Sequence, residues 1–243
     1  MTHFSSEESK EDRNFLLREF ADSLDIPMTN LDLLNRALTH TSYANENKHQ
    51  HIHHNERLEF LGDAILDLVI GEYLFLQFPQ MPEGELTKAR ASVVCESALA
   101  ECSVKFHIGQ YLRLGRGEAC SGGRDRSSIL ADAFEAVVGA IYIDSSYEAA
   151  ASFILSHLKK RLDLVKSGDY GRDYKTLFQE FIQRDGEQPV IYNLYKEEGP
   201  DHDKTFFMEV WVNEQILGCG SGKSKKDAEQ QAAQAALRDL HAL

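Results

Sequence analysis

Along residues 55–70, NERLEFLGDAILDLVI, apolar side chains fall on nearly every face of a helix, and one narrow line interrupts them. Leu58, Phe60, Leu61, Ala64, Ile65, Leu66, Leu68, Val69 and Ile70 cover most of the circumference, which predicts a helix inside a protein. Glu56, Glu59 and Asp63 stand at i, i+3 and i+7, so at about 100° per residue they share one strip, and Asp67 extends it by a turn. Residues 127–144, SSILADAFEAVVGAIYID, repeat the design: small and apolar throughout, except for Asp132 and Glu135 one turn apart.

Elsewhere in the first two thirds of the chain the period is also helical. Helices are expected over residues 15–24, over 30–39 with Asn30 as N-cap, from 55 to about 76, over 83–94 and 97–107, and over 148–164. Pro79 and Pro82 break the chain between two of them. Residues 109–126 form a glycine-rich connector; with no strand before it and no Lys-Ser/Thr after it, it is not a phosphate-cradling loop. Beyond residue 172 the period changes. An amphipathic helix carries Tyr174, Leu177, Phe178, Phe181 and Ile182; strands are expected over 191–195, 205–212 and 215–220; a closing helix carries Ala228, Ala232, Ala235, Ala236, Leu237 and Leu240. The pattern predicts two domains: residues 15–165 all-α and 173–243 α+β in the order α-β-β-β-α, with 1–14 disordered and 166–172 a polar linker.

Ionised carboxylates on buried helices are costly unless paired or metal-bound. Arg57, Arg90 and Arg126 could pair with them. Alternatively, two such helices packed together bring four oxygen ligands to one point, a donor set suited to a hard ion such as Mg²⁺. No Cys or His lies in either strip, which argues against zinc. The His-rich residues 49–54 are a conceivable metal site, but nothing acidic or thiolate completes a set there, and a solvated loop is the expectation.

Composition changes this picture little. Hydrophobic residues at 42% and charged residues at 27% are ordinary for a soluble globular protein. The polar, acidic first residues do not read as a signal peptide, and no run reads as a membrane span. Cys95, Cys102, Cys120 and Cys219 show no metal-ligand spacing and read as reduced thiols in a cytoplasmic protein. A net charge of −13 opposes nucleic-acid binding at first sight, but basic residues cluster at 115–126 and 222–226. Gly222-Lys223-Ser224 imitates the end of a nucleotide-binding loop, yet Leu217 stands where a glycine is required, so no nucleotide cofactor is expected.

The segment HNERLEFLGDAIL resembles the signature of the ribonuclease III family of double-stranded-RNA endonucleases. Residues 127–144 resemble the family's second acidic helix, Leu-Thr-His-x-Ser at 38–42 its approach to the signature, and the C-terminal pattern its double-stranded-RNA-binding domain. The resemblance implies that Glu59, Asp132 and Glu135 hold Mg²⁺, with Mn²⁺ substituting, and that Asp63 completes the cluster, Asp63 and Glu135 being catalytic. It implies hydrolysis by water in line, leaving 5′-phosphate and 3′-hydroxyl ends with short 3′ overhangs. It further implies a homodimer, with Glu56 and Glu83 at the rim or interface, and processing of ribosomal-RNA precursors and some mRNAs.

Proteins read A-form RNA by its shape, 2′-hydroxyls and phosphates. Gln179 and Glu180 are placed for one minor groove and His202 for a second, while Lys223, Lys225 and Lys226, before a helix, would meet the intervening phosphates. Phe207 and Trp211 read as packing residues on the sheet rather than stacking platforms. Two rivals remain. A non-catalytic double-stranded-RNA binder would have no need of the four acids, and a small-molecule phosphohydrolase leaves the C-terminal pattern unexplained.

Overall fold

The computed structural model describes residues 10–168, 170, 174–184, 188–199, 204–240 and 242. The chain divides into two compact units, Met1–Tyr170 and Gly171–Leu243, with the division inside the expected linker. Among the described residues, no helix is long and apolar enough to cross a membrane.

The first unit is helical. In order come α1 (Lys10–Ser23), α2 (Leu31–Ala37), α3 (Thr41–Glu46), α4 (Glu56–Gln77), α5 (Glu83–Val93), α6 (Glu96–Lys105), α7 (Ile108–Tyr111), α8 (Arg116–Cys120), α9 (Ser127–Asp144), α10 (Tyr147–His157) and α11 (Lys159–Ser167). Asn30 caps α2 by accepting the Leu33 N–H at 3.0 Å. The Asp144 carboxylate, at the end of α9, accepts the backbone N–H groups of Thr29 at 2.6 Å and Asn30 at 3.2 Å, so it ties the start of α2 to α9.

Helices α4 and α9 form the axis of this unit. A Cβ on Gly62 would stand 1.8 Å from the Glu135 carbonyl oxygen, and one on Gly139 would stand 2.4 Å from that of Leu58. The two backbones therefore touch where each lacks a side chain. The small residues Ala133, Ala136 and Ala140 are fully buried beside them.

Several elements depart from the sequence expectation. Residues 10–14, expected to be disordered, belong to α1; buried Arg13 anchors them by donating to Asn35 Oδ1 at 2.8 Å and to the Tyr111 carbonyl at 2.7 Å. The anchor is a charged residue, so a hydrophobic pattern does not reveal it. The glycine-rich connector is built from α7, α8 and a 3-10 turn. Its basic character is largely internal: Arg124 donates to the carbonyls of Gly109 and Leu112, and Arg126 pairs with Glu118 at 2.5 Å. The single helix expected over 148–164 is two, meeting at Leu158, with no Gly or Pro to mark the break. Residues 166 and 167 of the expected linker continue α11, which Gly168 closes in a left-handed conformation at φ 75°.

The second unit runs α12 (Tyr174–Gln183), β1 (Val190–Glu198), β2 (Thr205–Val212), β3 (Gln215–Gly222) and α13 (Lys225–Asp239). The strands form one antiparallel sheet in sequence order. Met208, Val210 and Val212 alternate inward along β2, and they share a core with Tyr174 and Phe178 of α12 and Ala228, Ala232, Ala236 and Leu237 of α13. A Cβ on Gly220 would lie 2.2 Å from the Ala232 nitrogen, so the glycines of β3 let α13 lie directly on the sheet.

Candidate metal and RNA-binding sites

Glu59 comes from α4, and Asp132 and Glu135 from α9. One carboxylate oxygen from each lies within 4.8 Å of the others, and this is the one such group of three metal-ligand types among the described residues. The reciprocal glycine contacts fix this convergence, because Gly62 rests on the carbonyl of Glu135 itself. Asp63 is exposed one turn beyond Glu59, and its charge acts on both Glu59 and Glu135.

The electrostatics are those of a site short of positive charge. Burial, then the neighbouring acids Asp63, Asp132, Glu59 and Asp67, push Glu135 up to about 8. Burial, then Asp132, Glu56 and Asp63, push Glu59 up to about 7. Burial raises Asp132 too, with His40 opposing and Glu96 adding. None of the three carboxylates has a salt-bridge partner among the described residues. Of the candidate arginines, Arg90 pairs at 3.4 Å with Asp67 of the same strip, as the pairing alternative expects, whereas Arg126 is committed to Glu118. Arg57 is exposed. Three converging carboxylates, partly desolvated and uncompensated, fit a hard divalent cation, which prefers carboxylate and water oxygens.

Glu56 and Glu83 are not among the three converging carboxylates, although the Glu56 charge acts on Glu59. Glu56 is exposed, 3.7 Å from His54 Nδ1. Glu83, in the first turn of α5, accepts the Thr87 hydroxyl at 3.1 Å. In the expected solvated loop, His49, His51 and His53 are exposed around a 3-10 turn.

Helix α4 is not enclosed as its sequence suggests. Phe60 is 79% exposed, and Leu68, Phe75 and Leu76 are also open, so an apolar row runs along one side of α4. The expectation of a buried helix fails there because periodicity within one chain cannot distinguish core from a surface awaiting a partner. The sequence reading also passed over Gly62 and Gly139. A glycine inside a strong helical pattern costs about 1 kcal/mol relative to alanine, and that cost was the available signal of a close approach.

In the second unit, Gln179 and Glu180 are exposed on α12. Lys223, Lys225 and Lys226 are exposed at the start of α13, where Ser224 caps the helix by accepting the Asp227 N–H at 3.1 Å. The resemblance of 222–224 to a nucleotide loop is thus a strand end followed by a helix cap. Lys225 lies 3.9 Å from Glu197. His202 lies outside the described residues. Phe207 and Trp211 sit on the face of the sheet away from the helices; Phe207 contacts the Tyr195 ring and Trp211 donates to Glu209 at 3.1 Å.

A family model described as ribonuclease-III-like matches residues 30–162, and one for the double-stranded RNA binding motif matches 174–240. The chain belongs to the ribonuclease III family. It is 46% identical to ribonuclease 3 of Enterococcus faecalis over 93% of this chain and 98% of that one. It is 51% identical to ribonuclease 3 of Natranaerobius thermophilus over 86% of this chain and 90% of that one. Among solved structures, the nuclease domain of ribonuclease III from Campylobacter jejuni matches 60% of this chain with 39% identity and a TM-score of 0.55, and 97% of that chain is covered. Membership joins the two units: the acidic trio lies in the family's nuclease domain, and the exposed lysines in its RNA-binding motif.

Proposed function

We propose that this protein is a Mg²⁺-dependent endoribonuclease that hydrolyses double-stranded RNA, leaving 5′-phosphate and 3′-hydroxyl ends with short 3′ overhangs. The observation that carries the reading is the uncompensated trio Glu59, Asp132 and Glu135, with Asp63 beside it, in a chain that also carries a double-stranded-RNA-binding motif. Glu59, Asp132 and Glu135 would hold the cation. When bound, it lowers the pKa of a coordinated water and offsets charge on the phosphoryl oxygens. The partly desolvated setting of Glu135 strengthens every charge interaction made there. Lys223, Lys225 and Lys226, with Gln179 and Glu180, would hold the duplex by phosphates and 2′-hydroxyls, without sequence readout.

The active form is a homodimer, paired across the apolar row of Phe60, Leu68, Phe75 and Leu76. The Campylobacter jejuni nuclease domain is described as having a region involved in dimer formation, which supports this reading. A two-fold axis suits the pseudo-symmetry of a duplex and assigns one cluster to each strand. The setting is the cytoplasm, with ribosomal-RNA precursors and some mRNAs as substrates.

The test is incubation with a long RNA duplex and with a single strand of the same sequence, with and without Mg²⁺, followed by analysis of product ends. Mg²⁺-dependent cutting of the duplex to 5′-phosphorylated products is expected. Duplex binding without cleavage in Mg²⁺ or Mn²⁺ would leave a binding protein instead.

A further inference from the structure

The sheet of the second unit has one face covered by α12 and α13 and one face bare. Along β2, Met208, Val210 and Val212 turn to the helices, so Phe207, Glu209 and Trp211 turn away from them. The strand register places Ile191 of β1 and Ile216 of β3 on either side of Trp211, and directly paired residues share a face. Ile191 is 52% exposed and Ile216 46%, so a band of apolar side chains crosses all three strands in contact with water. Beside the β2–β3 turn this band floors a pocket of about 550 Å³, lined by Pro189, Ile191, Asn193, Trp211, Asn213 and Glu214, a size suited to binding. Its wall is fixed: Asn213 and Glu214 form the two-residue turn at φ 48° and 63°, and Asn213 Nδ2 donates to Gln188 Oε1 at 3.0 Å, which ties the turn to the approach of β1.

The chemistry of the lining selects its occupant. Trp211 donates its Nε1–H to Glu209 at 3.1 Å, so the polar edge of the indole is satisfied and the ring offers its apolar, electron-rich surface. Among the described residues lining the pocket, Glu214 is the one charged group, and Glu209 adds a second carboxylate at the edge of the indole. An aromatic ring with two carboxylates near it attracts a cation and repels phosphate. A guanidinium fits better than an ammonium, because it is planar, stacks on rings and is less strongly hydrated. The isoleucines beside the ring suit an apolar residue two positions further along an extended segment. β1 is an edge strand, so such a segment has room to lie along it. The lysines expected to meet RNA stand beyond the other end of β3, roughly 25 Å along the strand.

We infer that the Trp211 pocket is a docking site for an arginine in an extended segment of a partner protein, with a branched apolar residue two positions from that arginine, and that it stays open when duplex RNA is bound. Such a site operates whether or not the acidic trio holds a cation.

Trp211 is the one tryptophan of the chain, so tryptophan emission from the full-length protein reports this face alone. The probes are a blocked peptide Thr-Arg-Thr-Ile-Thr and the same peptide with citrulline for arginine, which keeps the planar shape and loses the charge. The arginine peptide should change the emission along a saturable curve, and the citrulline peptide should bind about fivefold or more weakly. Glu214→Gln should weaken the arginine peptide by about two- to fivefold and leave the citrulline peptide unchanged. An RNA duplex added alone, without divalent metal, should leave the emission as it was. No saturable change with the arginine peptide, or equal affinity for it in wild type and Glu214→Gln, would overturn the inference. Equal affinity of the two peptides would also overturn it, and would make the face a site for apolar groups of any kind. A change with RNA alone as large as the peptide's would give the face to RNA, and a change on diluting the protein alone would give it to a second copy of this chain; either refutes the docking site.

Discussion

Glu135 shows how a single side chain can couple stability to function. Its folded pKa of about 8, and that of Glu59 at about 7, lie above the ordinary value of 4.5. A raised carboxylate favours the folded state only while protonated. Its stabilising contribution is complete below about pH 4.5 and disappears as pH rises through 7 to 8. Metal-free protein should therefore melt at a lower temperature at pH 8 than at pH 5.5, and Mg²⁺ should recover the loss at pH 8. Metal-free Glu135→Gln should melt above wild type at pH 8 and close to it at pH 5. Equal Tm differences at both pH values, in a calorimetric scan, would contradict the raised pKa that burial and the neighbouring acids give Glu135. The residue types of the trio were legible in the sequence, since i, i+4 spacing aligned Glu59 with Asp63 and i, i+3 spacing aligned Asp132 with Glu135. The fate of the arginines was not. Nothing in linear order tells that Arg90 reaches Asp67 or that Arg126 reaches Glu118, and these contacts leave the trio uncompensated.

At the scale of elements, the glycines decide how near the helices come. Alanine in place of a helical glycine ordinarily stabilises by about 1 kcal/mol. Gly62→Ala should do the opposite, because its Cβ would lie 1.8 Å from the Glu135 carbonyl oxygen and α4 must move away from α9. Overpacking of this kind costs about 1–3 kcal/mol, so Tm should fall by several degrees, and Mn²⁺ affinity should fall with it as the trio spreads. An unchanged Tm would show that the helices can adjust. In the second unit, Lys225→Ala with Lys226→Ala should weaken duplex binding and lower the magnitude of its log–log salt slope by about one unit or less per lost phosphate contact. An unchanged slope in a binding titration would make these lysines merely solvated. Element types followed from hydrophobic period, and strands and helices fall close to their expected places. The break at Leu158 was invisible because the residues on both sides, Phe153, Ile154, Leu162 and Val165, all serve one core. The order in residues 109–126 comes from Arg124 and Arg126 gripping groups elsewhere in the same segment, which composition records only as positive charge.

For the whole molecule, the exposed row on α4 sets the expected assembly. Phe60 at 79% exposure and Phe75 at 68% are expensive in water, and pairing across them would cover both. Phe60→Glu with Leu68→Glu should shift the protein from dimer to monomer in sedimentation equilibrium while the first unit stays folded; a dimer in the variant would place the interface elsewhere. Hydrophobic period marked this helix as apolar over most of its circumference, but not which side faced outward. If the trio cleaves and the second unit binds, the two activities separate in Glu135→Gln beside wild type, with single-turnover cleavage and equilibrium binding measured on the same RNA duplex in Mg²⁺. The substitution removes a charge and adds no bulk, so cleavage should vanish while duplex affinity stays within about twofold. Normal turnover by Glu135→Gln would contradict the assignment of the acidic trio as the catalytic centre.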